Sequence, residues 1–135
     1  MAVSIRKRAI SELIQADCLA TDLVKHVVRI TADDVGGVFQ VSRLLIGATP
    51  IHLAVGVIVS KASPTRCTVQ VGGQLAGLYT GLTPGKTLFV GEDSMLTHSV
   101  PTHPVTGVKS VYHAALALAS DVLLLSFQQP VRLAS

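Results

Sequence analysis

The segment TGLTPGKT, residues 80–87, ends in Gly85-Lys86-Thr87, the tail of a phosphate-binding loop. Such a loop requires a glycine, four free residues and then Gly-Lys-Ser/Thr. Consecutive backbone N–H groups can then wrap a phosphate at a helix N-terminus. Thr80 stands where the first glycine belongs, and Gly81 leaves three residues, not four, before Gly85. Pro84 has no N–H to offer. The residues that follow, Leu88, Phe89 and Val90, favour a strand over a helix. The segment therefore reads as a turn, with Pro84 at its second position and Gly85 at its third, that delivers the chain into a strand. No nucleotide is expected.

Five histidines, His26, His52, His98, His103 and His113, raise the question of a metal. The closest pair, His98 and His103, is separated by Pro101 and followed by Pro104, which keep that stretch extended and irregular. No Cys-x-x-Cys, His-x-x-x-His or His-Glu-x-x-His spacing occurs, so no metal site and no cofactor are expected. His113 sits in an apolar run and reads as a core or interface histidine. Paired carboxylates suit acid–base catalysis. Here Asp33-Asp34 precedes Gly36-Gly37 and Glu92-Asp93 precedes Ser94, both places where acids favour turns. There is no Gly-x-Ser-x-Gly elbow. The chain is expected not to be an enzyme. Cys18 and Cys67 are expected to be buried free thiols rather than a bridge.

The 135 residues suffice for one domain. Charged residues make up 14% and hydrophobic residues 49%, so the few charges cover the surface thinly and part of it is expected to be buried against other subunits. No apolar run approaches the ~18 residues that span a bilayer. No apolar signal core follows the N-terminal basic cluster, so a soluble chain without an export signal is expected.

Short β signals punctuated by turns dominate. HVVRIT (26–31), VFQVSRLLI (38–46) and KTLFVGED (86–93) read as strands, with ADDVGG (32–37) as a turn. HLAVGVIVS (52–60) and CTVQVGG (67–73) flank the Ser-Pro turn of KASPTR and form a hairpin. A second hairpin is expected over residues 110–133, turning at Ala119-Ser120-Asp121. The two hairpins share one layout, a weak internal echo. Strands such as DVLLLSF are apolar on both faces, which implies cover on both. The expectation is an all-β domain, a small antiparallel sandwich or barrel with an extended N-terminal arm, the cover being supplied by assembly into a trimer. Residues 8–24 are ambiguous: Ile10, Leu13, Ile14 and Asp17 fall at helical spacing, and an extended arm fits equally well.

The net charge of +3 owes much to one cluster, Arg6-Lys7-Arg8. The only aromatics are Phe39, Phe89, Phe127, Tyr79 and Tyr112, none interleaved with the basic residues to stack bases. Contact with protein is favoured over nucleic acid, and no membrane partner is expected. Residues 1–25 are accordingly read as an N-terminal arm and 26–135 as the β-domain. In the arm Arg6, Lys7 and Arg8 would meet acidic groups, and Ile10, Leu13 and Ile14 would fill grooves on a partner.

From residue 52 onward the pattern resembles a module of tailed-bacteriophage virion proteins, the capsid decoration (head-cement) proteins and related head-fibre or tail-appendage modules. Leu82, Pro84, Gly85, Leu88, Phe89, Gly91, Asp93, Leu96 and Thr97 carry its turn motif, and Pro130, Val131 and Leu133 its end. Ser94 and Met95 depart from the usual glycine, and His113 stands where glycine is common. The resemblance implies a virion structural protein, made in the host cytoplasm and carried on the capsid exterior, that bridges subunits of the major capsid protein. The alternative it implies is a fibre or tail module that binds a receptor or glycan; the scarcity of Tyr and absence of Trp speak against that.

Overall fold

The computed structural model describes residues 11–35, 38–47, 53–99, 110–128 and 131–132. All regular structure among them is β. The strands are β1 (Ser11–Asp17), β2 (Val27–Val35), β3 (Val38–Arg43), β4 (Gly56–Ser63), β5 (Arg66–Ala76), β6 (Thr87–Val90), β7 (Leu96–Thr97), β8 (Ser110–Val111), β9 (His113–Ala119), β10 (Val122–Leu125) and β11 (Val131–Arg132). Nine join in one sheet, in the order β1-β3-β2-β4-β5-β10-β9-β6-β7, while β8 and β11 pair separately.

The sheet closes on itself at one end, because β1 also pairs along β5. The ring β1-β3-β2-β4-β5 thus forms a small barrel. Gln70 pairs with Leu13 on one side and Val57 on the other, and Gly73 pairs with Ser11 and Leu125. Strand β5 therefore keeps β1 along one edge and shares its other edge between β4 and β10. Adjacent residues feed opposite faces. Val28, Ile58, Val69 and Cys67 fill the barrel with Ala16, Cys18 and Val41, whereas Val27 and Val57 join Leu44, Leu88, Val90, Tyr112 and Leu123 in a second core. That double burial is what a continuous apolar run in a strand encodes.

Three expectations are corrected. The sheet is mixed rather than antiparallel: β1 and β3 run parallel, with Ala16 opposite Phe39. A parallel pair requires a crossover, here loop 18–26 and β2. Residues 11–17 are neither helix nor free arm but strand β1, since Ile14, Ala16 and Cys18 alternate into the barrel and β5 offers them a ladder. Strand β1 is thus part of the sheet, and residues 1–10 are outside those described. Finally, β2 runs on to Val35, so Asp33-Asp34 lies within the strand rather than in a turn.

Both hairpins are present. Strands β4 and β5 turn at Pro64-Thr65, β9 and β10 at Ser120-Asp121, and the two hairpins join through β5 and β10. HAALALA is strand, although Ala and Leu favour helices, because its alternation matches the sheet. Cys18 and Cys67 are free and buried. Burial, together with the hydrogen bond to Cys18, pushes the Cys67 thiol up to about 12.

Loop 18–26 is built around Asp22, which is 1% exposed. One carboxylate oxygen accepts the Leu19 N–H at 2.8 Å. The other accepts the Ser42 hydroxyl at 3.1 Å and the Arg43 N–H at 3.0 Å, fastening the loop to β3. Lys61 on β4 donates to the carbonyls of Leu19 and Asp22. Tyr79 closes the opposite side, donating to the Lys25 carbonyl and accepting the Leu96 N–H.

Ser94 is fully buried with φ +66°, a left-handed conformation that favours glycine. Its hydroxyl donates to the Leu44 carbonyl at 2.6 Å and its own carbonyl accepts the Val27 N–H at 2.7 Å. Replacing it separates the two effects. Ser94→Ala keeps the backbone strain and leaves the Leu44 carbonyl without this donor, a loss of about 1–3 kcal/mol. Ser94→Gly loses the same bond but relieves about 1 kcal/mol of strain. The smaller side chain should give the more stable protein, and denaturant midpoints of the two variants will show the order.

Candidate interaction surface

The TPGK loop settles what the Gly-Lys-Thr tripeptide does. The Lys86 N–H donates to the Thr83 carbonyl at 3.1 Å and Gly85 has φ +85°, so Pro84-Gly85 forms the expected turn. The neighbouring amides are also spent within the protein. Leu82 N–H donates to Ser120, Gly85 N–H to Ala117, and Thr83 N–H to His98 Nε2 at 2.9 Å. With Nε2 accepting, His98 Nδ1 carries the proton and donates to the Thr87 carbonyl at 3.0 Å. Amides committed in this way form no cradle for a phosphate. His98 is a clamp on the turn.

Among the described residues no three His, Cys, Asp or Glu side chains converge on a point that could hold a metal ion. His52 and His103 lie outside the described residues. Asp93 accepts the Met95 N–H at 3.0 Å, the local turn bond expected of an acid at that place.

His26 is buried, and its Nδ1 accepts the Leu23 N–H at 3.0 Å, which requires that nitrogen to be unprotonated. Burial first, and then the Arg43 charge, hold its pKa below the ordinary 6.5. Asp22 and Asp93 pull the other way without reversing the shift. The unfolded chain therefore binds more protons between the two values. The contribution of His26 to stability is complete above about pH 6.5 and is lost as the pH falls through the folded value. Melting followed from about pH 7.5 to 5 should show a steeper decline in the natural protein than in His26→Asn. The Asn Oδ1 can accept the same N–H and does not titrate.

One apolar surface of the sheet is the outer side of β9 and its neighbours. On β9 the small residues Ala114, Ala115 and Ala117 are buried, while Leu116 and Leu118 stand 40% and 41% exposed. Strand alternation makes this a choice of face: Ala115 and Ala117 oppose the buried Leu125 and Leu123, and Leu116 opposes Leu124 and Thr87. Phe89 meets the His113 ring edge-on at 5.0 Å beside them. A recess of about 250 Å³ lies on this side, lined by Thr87, His113, Ala115, Leu116, Leu124, Ser126 and Gln128. None of these side chains is formally charged at neutral pH with histidine neutral. Lys86 and Asp121, both exposed, flank the face at its turn end with opposite signs.

Of the contact residues expected at the N-terminus, Arg6, Lys7, Arg8 and Ile10 lie outside the described residues. Leu13 and Ile14 are placed on β1: Leu13 is 56% exposed, whereas Ile14 packs against the barrel core. The β9 face was missed in the sequence, though its signal is there. HAALALA alternates alanine with leucine, and a strand with two apolar faces of unequal size invites the question of which faces out. No protein-family model matches the chain, and no curated protein matches it.

Proposed function

We propose that this chain is a structural subunit of a virus particle, a capsid decoration protein that stabilises a bacteriophage head by bridging subunits of the major capsid protein. The observation that carries the reading is the uncharged apolar face of β9 and β10, on which Leu116, Leu118 and Leu124 stand outward while Ala115 and Ala117 pack inward against Leu123 and Leu125. A surface of this kind gains free energy by being covered with protein and offers little to a nucleic acid, whose binding rests on phosphate contacts. The resemblance of residues 52–133 to virion modules supports the choice of partner. The working form is a homotrimer on the capsid exterior, and each bound copy favours the assembled shell by mass action. No bond is made or broken.

The N-terminal segment is the proposed grip on the shell, with Arg6, Lys7 and Arg8 meeting acidic groups and Ile10 and Leu13 adding apolar contact. A deletion of residues 1–10 tests it without cutting into β1. The truncated chain should fold, bind undecorated capsids more weakly, and lose much of the salt dependence, since rim charges chiefly set association rate and salt sensitivity. Copy number tests the function itself. Hundreds of copies per purified particle, counted by quantitative mass spectrometry, are the expected result. A handful would make the chain a fibre or tail module, and none would overturn the virion reading.

A further inference from the structure

We infer that Cys18 and Cys67 form a redox latch: a small-molecule disulfide of the glutathione class oxidises them to a bond that ties β1 to β5 and holds the barrel shut. The inference is independent of the proposed function and needs no partner protein. Its basis is placement. Cys67 stands opposite Ala16 and Arg66 opposite Asp17, and the Cys18 N–H continues the same ladder to the Thr65 carbonyl at 3.0 Å. Cys18 and Cys67 are therefore diagonal neighbours on one face of the β1–β5 pair. Both belong to the barrel core with Val28, Val41, Ile58 and Val69, and a side-chain hydrogen bond links the two free thiols.

A disulfide joins Cα atoms about 4.4–6.8 Å apart, whereas diagonal neighbours in a sheet lie at about 7–8 Å. The backbone must therefore draw in slightly as the bond closes. It can do so here. Strand β1 ends at Asp17, so Cys18 opens loop 18–26, and β5 begins at Arg66 beside the Pro64-Thr65 turn. A bond closed against mild strain is more readily reduced than a relaxed structural disulfide, which makes the latch reversible. It also removes about fifty residues of slack from the unfolded chain.

One oxidised glutathione balances the reaction. Cys18, at the end of its strand, loses its proton and attacks one sulfur of the oxidant. A mixed disulfide forms and one glutathione thiolate leaves. Cys67 then loses its proton and attacks the Cys18 sulfur, expelling the second thiolate. Two protein thiols become one disulfide, one small disulfide becomes two thiols, and both protons end on the departing glutathiones. Cys67 is fully buried, and burial with the bond to Cys18 holds its thiol up at about 12. The closed barrel is therefore slow to oxidise, and the latch sets as the chain folds or when loop 18–26 opens. In reducing surroundings the thiols stay free, and closure rests on packing and hydrogen bonds alone.

The test refolds the full chain from urea in a glutathione redox buffer and analyses it by acid quenching and intact mass. The expected product is a single chain about 2 Da lighter than the reduced one, with Cys18 and Cys67 in one crosslinked peptide. Bond and fold must favour each other equally, so the disulfide should be about 100-fold more favoured in the folded chain than in urea. Oxidation should raise the melting midpoint by about 5–10 °C, and dithiothreitol should return it. Reversal by reductant makes the natural chain its own control; Cys18→Ala should show no rise. A folded chain that carries glutathione without the crosslink overturns the inference. So does a disulfide that forms more readily in urea than in the folded chain, or a crosslinked chain that melts no higher than the reduced one.

Discussion

Gly56→Ala should lower the melting temperature by about 10 °C, the largest effect we expect from adding one methyl group to this protein. Gly56 begins β4 where it lies between β2 and β5, and it is buried. A Cβ built there would press into the carbonyl oxygen of Gln70 and come within 2.6 Å of Val69 Cγ1. Gln70 cannot yield readily. Its backbone pairs with both β1 and β4, and its side-chain amide donates to the carbonyls of Gly72 and Gln74 at 3.0 and 2.7 Å. Overpacking of a core commonly costs 1–3 kcal/mol, and opposition from backbone puts this site at about 3. Gly77→Ala provides the contrast. Gly77 has φ +79° but open space around its Cα, so only the left-handed strain of about 1 kcal/mol applies. Thermal melts of the two variants should rank them clearly; equal losses would mean that the close approach at Gly56 is not what selects glycine there.

Asp22→Ala should cost about 3 kcal/mol, for a different reason. The substitution removes one acceptor group and strands three donors: the Leu19 and Arg43 amides and the Ser42 hydroxyl. Three bonds converging on one buried carboxylate are lost together, and the part-buried donors recover only some of that loss from water. Asp22→Asn should fall between alanine and the natural residue, because one oxygen can still serve Ser42 and Arg43. Its nitrogen then faces the Leu19 N–H. Urea titration will report the order Asp, Asn, Ala. If Asn proves as damaging as Ala, the Leu19 bond holds the loop; if Asn is neutral, the β3 side does.

Local features of this fold were legible in the sequence and distant ones were not. The TPGK turn was readable because Pro and Gly constrain φ at adjacent positions, and the structure places both where the turn requires them. Ser-Pro and Ser-Asp marked the two hairpin turns in the same way. Strand β1 was ambiguous because Ile10, Leu13 and Ile14 lie at a spacing that suits a helix. Its partner β5 lies far along the chain, and no local pattern announces a ladder of that kind. The bulk of the second core was foreseeable from two-sided apolar strands. The face that stays uncovered was not, because Leu116, Leu118 and Leu124 look like core until the register assigns Ala115 and Ala117 to the inside. The Asp22 hub was missed altogether: a single aspartate in a polar loop gives no sign that Ser42 and Arg43 will meet it.

The shared edge of β5 carries a consequence for how the molecule is made. During synthesis β1 emerges first, yet the bond from Gln15 to Thr68 joins residues 53 positions apart. Closing that loop exacts its entropy before any of the ladder forms, so barrel closure should be slow relative to either hairpin. The β4–β5 hairpin is local and can form as soon as it leaves the ribosome; β1 then docks along it. At that moment Gln74–Ala76 still lack the partners that β10 will bring. A nascent chain stalled between the two hairpins would hold a finished barrel with a sticky, unpaired extension. Formation of the β9–β10 hairpin, rather than completion of the barrel, is the step that makes this protein safe to accumulate.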